Sequence, residues 1–280
     1  MHTNYTETDP PPEETAMCQL LGMNCNTPTD ICFSFAGFQA RGGLTDVHGD
    51  GWGIAFFEGR GVRLFLDPQA SSGSKVAELV RSYPIHSLNV IAHIRKATQG
   101  QVALQNTHPF MRELWGRYWV MAHNGDLKGF APRLHGNFRP VGGTDSELAF
   151  CWLMQELAKA HASVPSIAEL TCTLRELLPI PAAHGTFNLL LSNGQALWAH
   201  ASTKLHWLVR QHPFCSATLA DEDLSVDFAD LTTPSDRVAV IVTEPLTTDE
   251  PWSALAPGEL AVFRDGRRTE LPRPTTPPTP

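Results

Sequence analysis

The chain has 280 residues, of which 42% are hydrophobic and 18% charged, a composition typical of a globular protein with a buried core. Its formal net charge of −8 and the lack of a Lys/Arg-rich run argue against a nucleic-acid partner, because nucleic-acid binders present a basic face. No apolar stretch reaches the roughly 18 residues of a membrane span, and the polar, acidic N-terminus lacks the features of a secretory signal. We therefore expect a cytoplasmic protein with no membrane partner.

The predicted elements run from strands through helices and back to strands. In chain order they are a strand at 18–23, a polar-capped helix at 31–38, a hairpin at 51–57 and 62–66, a helix at 74–83, strands at 90–95 and 118–123, helices at 145–160 and 166–178, and strands at 187–191, 196–199, 205–210 and 237–243, with a final hairpin around Asp265-Gly266. This order is typical of an α+β protein with largely antiparallel sheets and segregated helices.

Both ends of the chain differ in composition from the centre. Residues 1–17 are polar, acidic and proline-rich, and we predict either a disordered leader or a misassigned start. Residues 271–280 predict a disordered tail. No linker divides the remainder, so residues 18–270 are predicted to form a single domain.

Common cofactor and metal patterns are not found in the sequence. The six cysteines include no C-x-x-C pair, and in a reducing compartment they are expected to be free thiols. The twelve histidines include no H-E-x-x-H motif or zinc-type spacing, and there is no Walker loop or dinucleotide fingerprint. The sequence therefore predicts neither a metal nor a cofactor.

Several polar residues stand where predicted strands end or a helix begins, and strand ends are where a rigid sheet presents side chains to a ligand. They are Arg95 and Thr98 in HIRKAT (93–98), His108 in NTHPF (106–110), Asn124 and Gly125 in AHNGDL (122–127), and Asp145 in GGTDSE (142–147). Each also has a structural interpretation when taken alone. Arg95 could form a surface salt bridge, Asn124-Gly125 could be a hairpin turn, and Asp145 could be a first-turn acid in a T-x-x-E capping box.

Taken together and in this order, these segments resemble the class II glutamine amidotransferase domain, a member of the N-terminal nucleophile hydrolases. The segments MCQLLGMN (17–24) and HGDGWGIAF (48–56) share the resemblance, which extends to about residue 270 and is closest to a standalone bacterial branch of the family. The resemblance implies a four-layer αββα sandwich with two mainly antiparallel sheets.

The resemblance also implies a role for each residue of the set. Cys18 would be the nucleophile with its own α-amino group as the base, and the Asn124 side chain and Gly125 N–H would form the oxyanion hole. Arg95 would bind the substrate α-carboxylate and Asp145 its α-ammonium. Thr98 and His108 would line the substrate pocket.

The implied activity is hydrolysis of glutamine or another γ-glutamyl amide through a thioester on Cys18. Two alternatives stay open: a glutaminase subunit that delivers ammonia to a separate synthase, and a non-catalytic γ-glutamyl-binding protein if residues 1–17 are retained, because an acylated Cys18 nitrogen is not a base. Lys96 replaces the aromatic residue often found in synthase-fused members, which weighs against ammonia channelling. The sequence leaves open the group on the γ-carbonyl, the acceptor of the ammonia and a homo-oligomeric state.

Overall fold

The computed structural model of the protein describes residues 18–45, 49–96 and 101–270. The predictions for the leader (1–17), for Thr98 and for the tail (271–280) concern residues outside these ranges. Within them, no helix combines the length and the apolar character needed to cross a membrane.

The first sheet has seven strands, and the candidate nucleophile, Cys18, directly precedes its central strand. In spatial order its strands are β13 (Ser253–Ala254), β9 (His206–Gln211), β12 (Arg237–Val242), β1 (Gln19–Thr29), β4 (Ser87–Ile94), β2 (Trp52–Glu58) and β3 (Gly61–Asp67). Because β1 pairs with β12 on one side and with β4 on the other, Cys18 is held at the start of a strand that has neighbours on both edges.

The second sheet has six strands and carries the candidate oxyanion hole. In spatial order its strands are β15 (Arg267–Arg268), β14 (Glu259–Arg264), β8 (Leu197–Ala201), β7 (Asn188–Ser192), β6 (Arg117–Asn124) and β5 (Phe110–Leu114). The predicted turns at Asn193-Gly194 and Asp265-Gly266 are confirmed, since they join β7 to β8 and β14 to β15. A small separate hairpin consists of β10 (Ser216–Thr218) and β11 (Ser225–Asp227).

Helices cover the outer face of each sheet. They are α1 (Cys32–Ala40), α2 (Lys75–Ser82), α3 (Asp145–Ala160), α4 (Ile167–Leu177) and the short α5 (Pro179–Ala182). One apolar cluster joins α1 and α2 to the first sheet, a second joins α3 and α4 to the second sheet, and a third lies between the two sheets. Every strand pairing among the described residues is antiparallel. The predicted α+β fold, a four-layer αββα sandwich, is therefore confirmed.

Strand β4 illustrates how the sequence pattern produces these layers. Val90, Ala92 and Ile94 belong to the cluster under α1 and α2, whereas Ile91 belongs to the cluster between the sheets. Successive side chains of a strand point to opposite faces, so a two-residue alternation of apolar side chains supplies both layers at once. The same alternation turns His93 toward the inner side of the sheet, where its ring lies 4.3 Å from another buried ring.

The predicted helix starts are confirmed for three helices and need correction for α1. The α2 and α4 helices begin after serine caps, Ser74 and Ser166, and Ser166 forms a complete capping box with Glu169. The predicted polar cap of α1 is wrong, because the cap position is Ile31 and no side chain caps it. Asp30 lies one residue too early and accepts instead from the Cys32 N–H at 3.0 Å, an Asx-type contact.

Candidate active site

Cys18 lies where β1 begins and is held against the chain that leaves β4. The register pairs Gln19 with Ile94, which brings Cys18 beside Arg95 and Lys96. The Cys18 Sγ accepts a hydrogen bond from the Lys96 N–H at 3.1 Å, and the thiol donates to the Lys96 carbonyl oxygen at 3.2 Å. Two main-chain contacts therefore fix the position of the sulfur.

The environment of Cys18 keeps its thiol protonated. Burial raises the pKa of this thiol above its ordinary value, and the Lys96 N–H and the positive charge of Arg95 offset only part of that rise. The nearby carboxylate of Asp50 raises the pKa further. Because the thiolate is the reactive form of a cysteine, a nucleophilic role for Cys18 requires a base that takes its proton.

Asn124, the last residue of β6, connects the second sheet to Cys18. Its buried Nδ2 donates to the Cys18 carbonyl oxygen and lies 3.5 Å from the Thr243 Oγ1. Thr243 in turn accepts from the Leu20 N–H at 2.9 Å and donates its own N–H to the Leu20 carbonyl at 3.1 Å. Thr243, which the sequence did not single out, thus contacts both Leu20 of β1 and the Asn124 side chain.

Gly125 has a conformation and a location that admit no side chain. Its φ of 151° favours glycine, and a Cβ atom here would overlap the Thr186 carbonyl oxygen. The Asn124-Gly125 pair is not a hairpin turn, because β6 pairs with the distant β7 and the chain continues to Leu127, which bridges to Gly185. Gly125 therefore follows directly on Asn124, the last residue of β6, with no room for a side chain.

Arg95 is a buried cation. Its relative exposure is 3%, which excludes the surface salt bridge that its sequence position allowed. Its Nη1 donates to the Gln101 carbonyl at 3.1 Å, and its backbone N–H donates to the Gly51 carbonyl at 2.8 Å. A buried guanidinium is a planar fork of donors suited to a carboxylate.

Asp145 is the first residue of α3, and its carboxylate is held in place by two backbone N–H groups. Leu127 N donates to Oδ2 at 2.6 Å and Ser146 N donates to Oδ1 at 2.7 Å. Because Leu127 lies two residues beyond Gly125, Asp145 is tied directly to the segment that would form the oxyanion hole.

The predicted T-x-x-E capping box at this helix start is only half formed. Thr144 Oγ1 accepts from the Glu147 N–H at 3.2 Å, as a cap should. The Glu147 carboxylate does not return to Thr144. It accepts from the N–H groups of Val141 and Gly142 at 3.0 and 2.7 Å and forms an ion pair with Arg112. Glu147 therefore fixes the loop that precedes the helix.

Two buried histidines near the site, His108 and His123, have lowered pKa values. His108 is buried with its ring centre 4.3 Å from that of His93, and burial lowers its pKa well below the ordinary value, helped by the proximity of His93, His123 and Arg95. Burial also lowers the pKa of His123, whose Nε2 lies 3.0 Å from the Thr186 carbonyl and whose Nδ1 lies 2.8 Å from the Ser146 Oγ. Since a carbonyl can only accept, we assign the proton of neutral His123 to Nε2.

The fold brings most of the predicted set together. Cys18 and Asn124 are in direct contact, and the charge of Arg95 acts on both Cys18 and His108. The negative charge of Asp145 raises the pKa of His123, the residue before Asn124, against the larger effect of burial. The Asp145 carboxylate also accepts from the N–H of Leu127, three residues after Asn124. Within the three described ranges, no group of three His, Cys, Asp or Glu side chains is arranged to hold a metal ion.

Comparisons with known proteins point in one direction. The model of the family described as class-II glutamine amidotransferases matches residues 17–279. YafJ of Escherichia coli, named as a glutamine amidotransferase, is 53% identical over 260 residues, which cover 90% of this chain and 99% of YafJ. A protein of Haemophilus influenzae with the same type of name is 51% identical over 252 residues, covering 90% of this chain and 86% of that protein.

Solved structures give the same result at the level of the fold. The crystal structure of a predicted glutamine amidotransferase from Pseudomonas aeruginosa superposes with a TM-score of 0.73 at 46% identity, covering 90% of this chain and 100% of that one. The glutamine phosphoribosylpyrophosphate amidotransferase of Bacillus subtilis superposes with a TM-score of 0.55 at 13% identity, covering 90% of this chain and 48% of that one. The second likeness concerns the fold alone.

Proposed function

The chain belongs to the class II glutamine amidotransferases, a family of glutamine amide transfer and hydrolysis, and we propose that it hydrolyses glutamine or another γ-glutamyl amide with Cys18 as the nucleophile. The observation that carries this proposal is the hydrogen bond from the Asn124 side-chain amide to the main-chain carbonyl oxygen of Cys18, which places a buried amide donor of the second sheet beside the residue that bears the thiol. A nucleophile beside a preorganised amide donor is the arrangement that acyl transfer requires.

The first step needs a base, and the α-amino group of Cys18 is the group we assign to it. The raised pKa of the thiol leaves it protonated at neutral pH. A free α-amine titrates at about 7.7–8.0, so it can accept the thiol proton, directly or through a water. The buried histidines His108 and His123 have lowered pKa values, but no contact joins either ring to the Cys18 thiol among the described residues.

The covalent steps then balance without a cofactor. The Cys18 sulfur attacks the γ-carbonyl carbon, and the resulting oxyanion is stabilised by the Asn124 Nδ2 and the Gly125 N–H. Collapse of this intermediate returns the proton to the leaving nitrogen and releases ammonia or an amine, leaving a γ-glutamyl thioester. Water then attacks the thioester, which releases glutamate and restores the thiol of Cys18.

Recognition of the glutamyl group requires one cation and one anion. We assign the substrate α-carboxylate to Arg95 and the α-ammonium to Asp145, because both side chains are held close to the reacting groups. Arg95 follows β4, the strand that pairs with β1, and Asp145 is bonded to Leu127, two residues beyond Gly125. Thr98 and His108 are proposed to line the pocket. The buried, neutral His108 is suited to forming a wall of the pocket rather than to exchanging protons.

The mechanism requires that Cys18 have a free amine, so we propose that the active form begins at Cys18 and that residues 18–270 form one catalytic domain. The test combines intact-mass analysis of the protein from its native host with an assay of glutamate and ammonia release from L-glutamine and from γ-glutamyl amides. Added hydroxylamine should trap the thioester as γ-glutamyl hydroxamate.

The outcomes separate the candidate functions. A chain that begins at Cys18 and releases glutamate supports the proposal. Turnover by a chain that retains the residues before Cys18 would refute the role of its α-amine. A processed chain that is inactive alone but active with an added synthase would be an ammonia-delivering subunit, and one that only binds γ-glutamyl compounds would be a binding protein.

A further inference from the structure

Asn106 has a buried side-chain amide that contacts Gln101, a hydrogen-bond partner of Arg95. It ends a short helical turn, and its Nδ2 donates to the Gln101 carbonyl oxygen at 3.0 Å. The same oxygen accepts from the Arg95 Nη1 at 3.1 Å. A single carbonyl therefore lies between the Asn106 amide and the guanidinium, and its position depends on both donors.

The other end of the Asn106 amide reaches the segment that leads into Asp145. Its Oδ1 accepts from the Gly143 N–H at 2.9 Å, two residues before Asp145. The contact is close, because a Cβ atom on Gly142 would overlap this oxygen and would lie 2.7 Å from the Gln105 carbonyl. The backbone at 142–143 is thus seated directly against Asn106.

The segment before Asp145 is fixed from its opposite side as well. The Glu147 carboxylate accepts from the Val141 and Gly142 N–H groups and pairs with Arg112. With Glu147 on one side and Asn106 on the other, the loop has little freedom to shift. Loss of the hydrogen bond between Asn106 and Gly143 would therefore displace the backbone that leads into Asp145, the first residue of α3.

We infer that Asn106 is a positioning residue that sets the separation between the Arg95 guanidinium and the Asp145 carboxylate. The inference rests on the proposed function, in which these groups bind the α-carboxylate and the α-ammonium of one glutamyl group. Those two substrate charges are attached to a single carbon atom, so their separation is fixed and the site must match it. Functional constellations tolerate displacements of only about 0.5 Å, which a single buried hydrogen-bonding amide can control.

The test is calorimetric binding of three small ligands to the protein as isolated, with its N-terminus defined by intact mass. L-glutamate carries both α-charges, glutarate lacks the ammonium and 4-aminobutanoate lacks the α-carboxylate. The Asn106→Ala variant should bind L-glutamate about 10-fold or more weakly, while glutarate and 4-aminobutanoate lose no more than about 3-fold, because a ligand with one charge can adjust to a displaced partner. Asn106→Asp keeps an oxygen that accepts from the Gly143 N–H but loses the N–H that donates to the Gln101 carbonyl. It should also weaken L-glutamate binding more than binding of the other two ligands, and it replaces the alanine variant if that variant does not fold.

A matched control removes a buried amide elsewhere. Asn89 is buried and bonded to Asn24 and to the Gly194 carbonyl, so Asn89→Ala should lower stability without changing the preference for L-glutamate. Equal weakening of all three ligands by Asn106→Ala, or no weakening, would overturn the positioning role. If the wild type hydrolyses no γ-glutamyl amide but shows the Asn106-dependent preference, the proposed function fails and the positioning role stands. If the wild type does not bind L-glutamate, the positioning role fails, while the proposed function is decided by the hydrolysis assay.

Discussion

Cys18 and Lys96 form two hydrogen bonds through one sulfur atom: the Lys96 N–H donates to Sγ at 3.1 Å, and the thiol donates to the Lys96 carbonyl at 3.2 Å. Both contacts involve the main chain of Lys96, which lies two residues beyond the end of β4, the strand paired with β1. The position of the sulfur is therefore set by sheet pairing, and removing the sulfur should leave the sheet intact.

Replacing Cys18 with alanine should abolish turnover without unfolding the protein. Loss of an essential nucleophile typically costs more than about 1000-fold in kcat, whereas β1 keeps both neighbouring strands. The measurements are ammonia release and the thermal midpoint Tm. Cys172→Ala, which removes a half-buried thiol from α4, is the control and should keep full activity. Normal turnover by Cys18→Ala would refute the mechanism.

Asn124→Ala should lower kcat by about 100- to 1000-fold with little change in KM, because an oxyanion donor acts mainly in the transition state. Steady-state kinetics with L-glutamine checks this. Asn193→Ala, at the buried turn between β7 and β8, removes an asparagine side chain from the same sheet and should leave kcat unchanged. A rise in KM with kcat preserved would show that Asn124 serves binding rather than the oxyanion.

Local sequence signals predicted the elements that have strong periodicity or strong turns. The α3 helix begins at Asp145 and ends at Ala160, as its pattern indicates. Strand β5 (Phe110–Leu114) was not predicted, since it is only five residues long and includes two charged residues. The short strands β10 and β11 were missed for a similar lack of length.

The candidate site was partly predictable for the same reason. Arg95, Asn124 and Asp145 stand at element ends that the pattern reveals, but their burial and their partners depend on tertiary packing. Thr243 contacts the Leu20 N–H across 223 residues of sequence, and no local pattern encodes such a contact. Asn106 was visible only as part of the NTHPF segment, because its role depends on two loops that meet in space.

Arg95→Lys should raise the KM for L-glutamine by about 10- to 100-fold and change kcat by only a few fold. A lysine keeps the charge but loses the bidentate geometry that a carboxylate prefers. Arg63→Lys, at an exposed ion pair with Glu58 in the first sheet, is the matched control and should leave KM unchanged. An unchanged KM in Arg95→Lys would remove Arg95 from the carboxylate site.

Gly125→Ala should destabilise the fold as well as the site. The added Cβ overlaps the Thr186 carbonyl, and the positive φ is unfavourable for alanine, so we expect a loss of about 3 kcal/mol or more in the free energy of unfolding. Gly129→Ala is the control, because Gly129 also has a positive φ of 73° but has nothing within 4 Å of its Cβ position. It should lose only about 1 kcal/mol in urea unfolding. Equal losses in the two variants would mean that the Thr186 contact relaxes without cost.

The buried histidines should make the protein less stable in mild acid. Burial lowers the pKa of His108, His123 and His200 in the folded state, whereas the unfolded chain titrates near the ordinary value of about 6.5. Below that pH the unfolded state binds more protons than the folded state, so stability falls as the pH decreases through about 6.5 toward the lowered pKa values. Each histidine that stays neutral in the fold contributes up to about 1.4 kcal/mol per pH unit to the slope.

The contribution of one ring can be isolated at His108, which packs against the rings of His93 and Phe110. His108→Phe replaces a titratable ring by an apolar one in an apolar contact, so the slope of the unfolding free energy below pH 6.5 should decrease by about one proton equivalent. Urea unfolding at several pH values between 5 and 8 measures this slope, and above about pH 7.5 the variant and the wild type should have parallel stability curves. A slope identical to that of the wild type below pH 6.5 would mean that His108 is protonated in the folded protein. It would then carry a charge beside Arg95, and its assignment as a neutral wall of the pocket would have to be withdrawn.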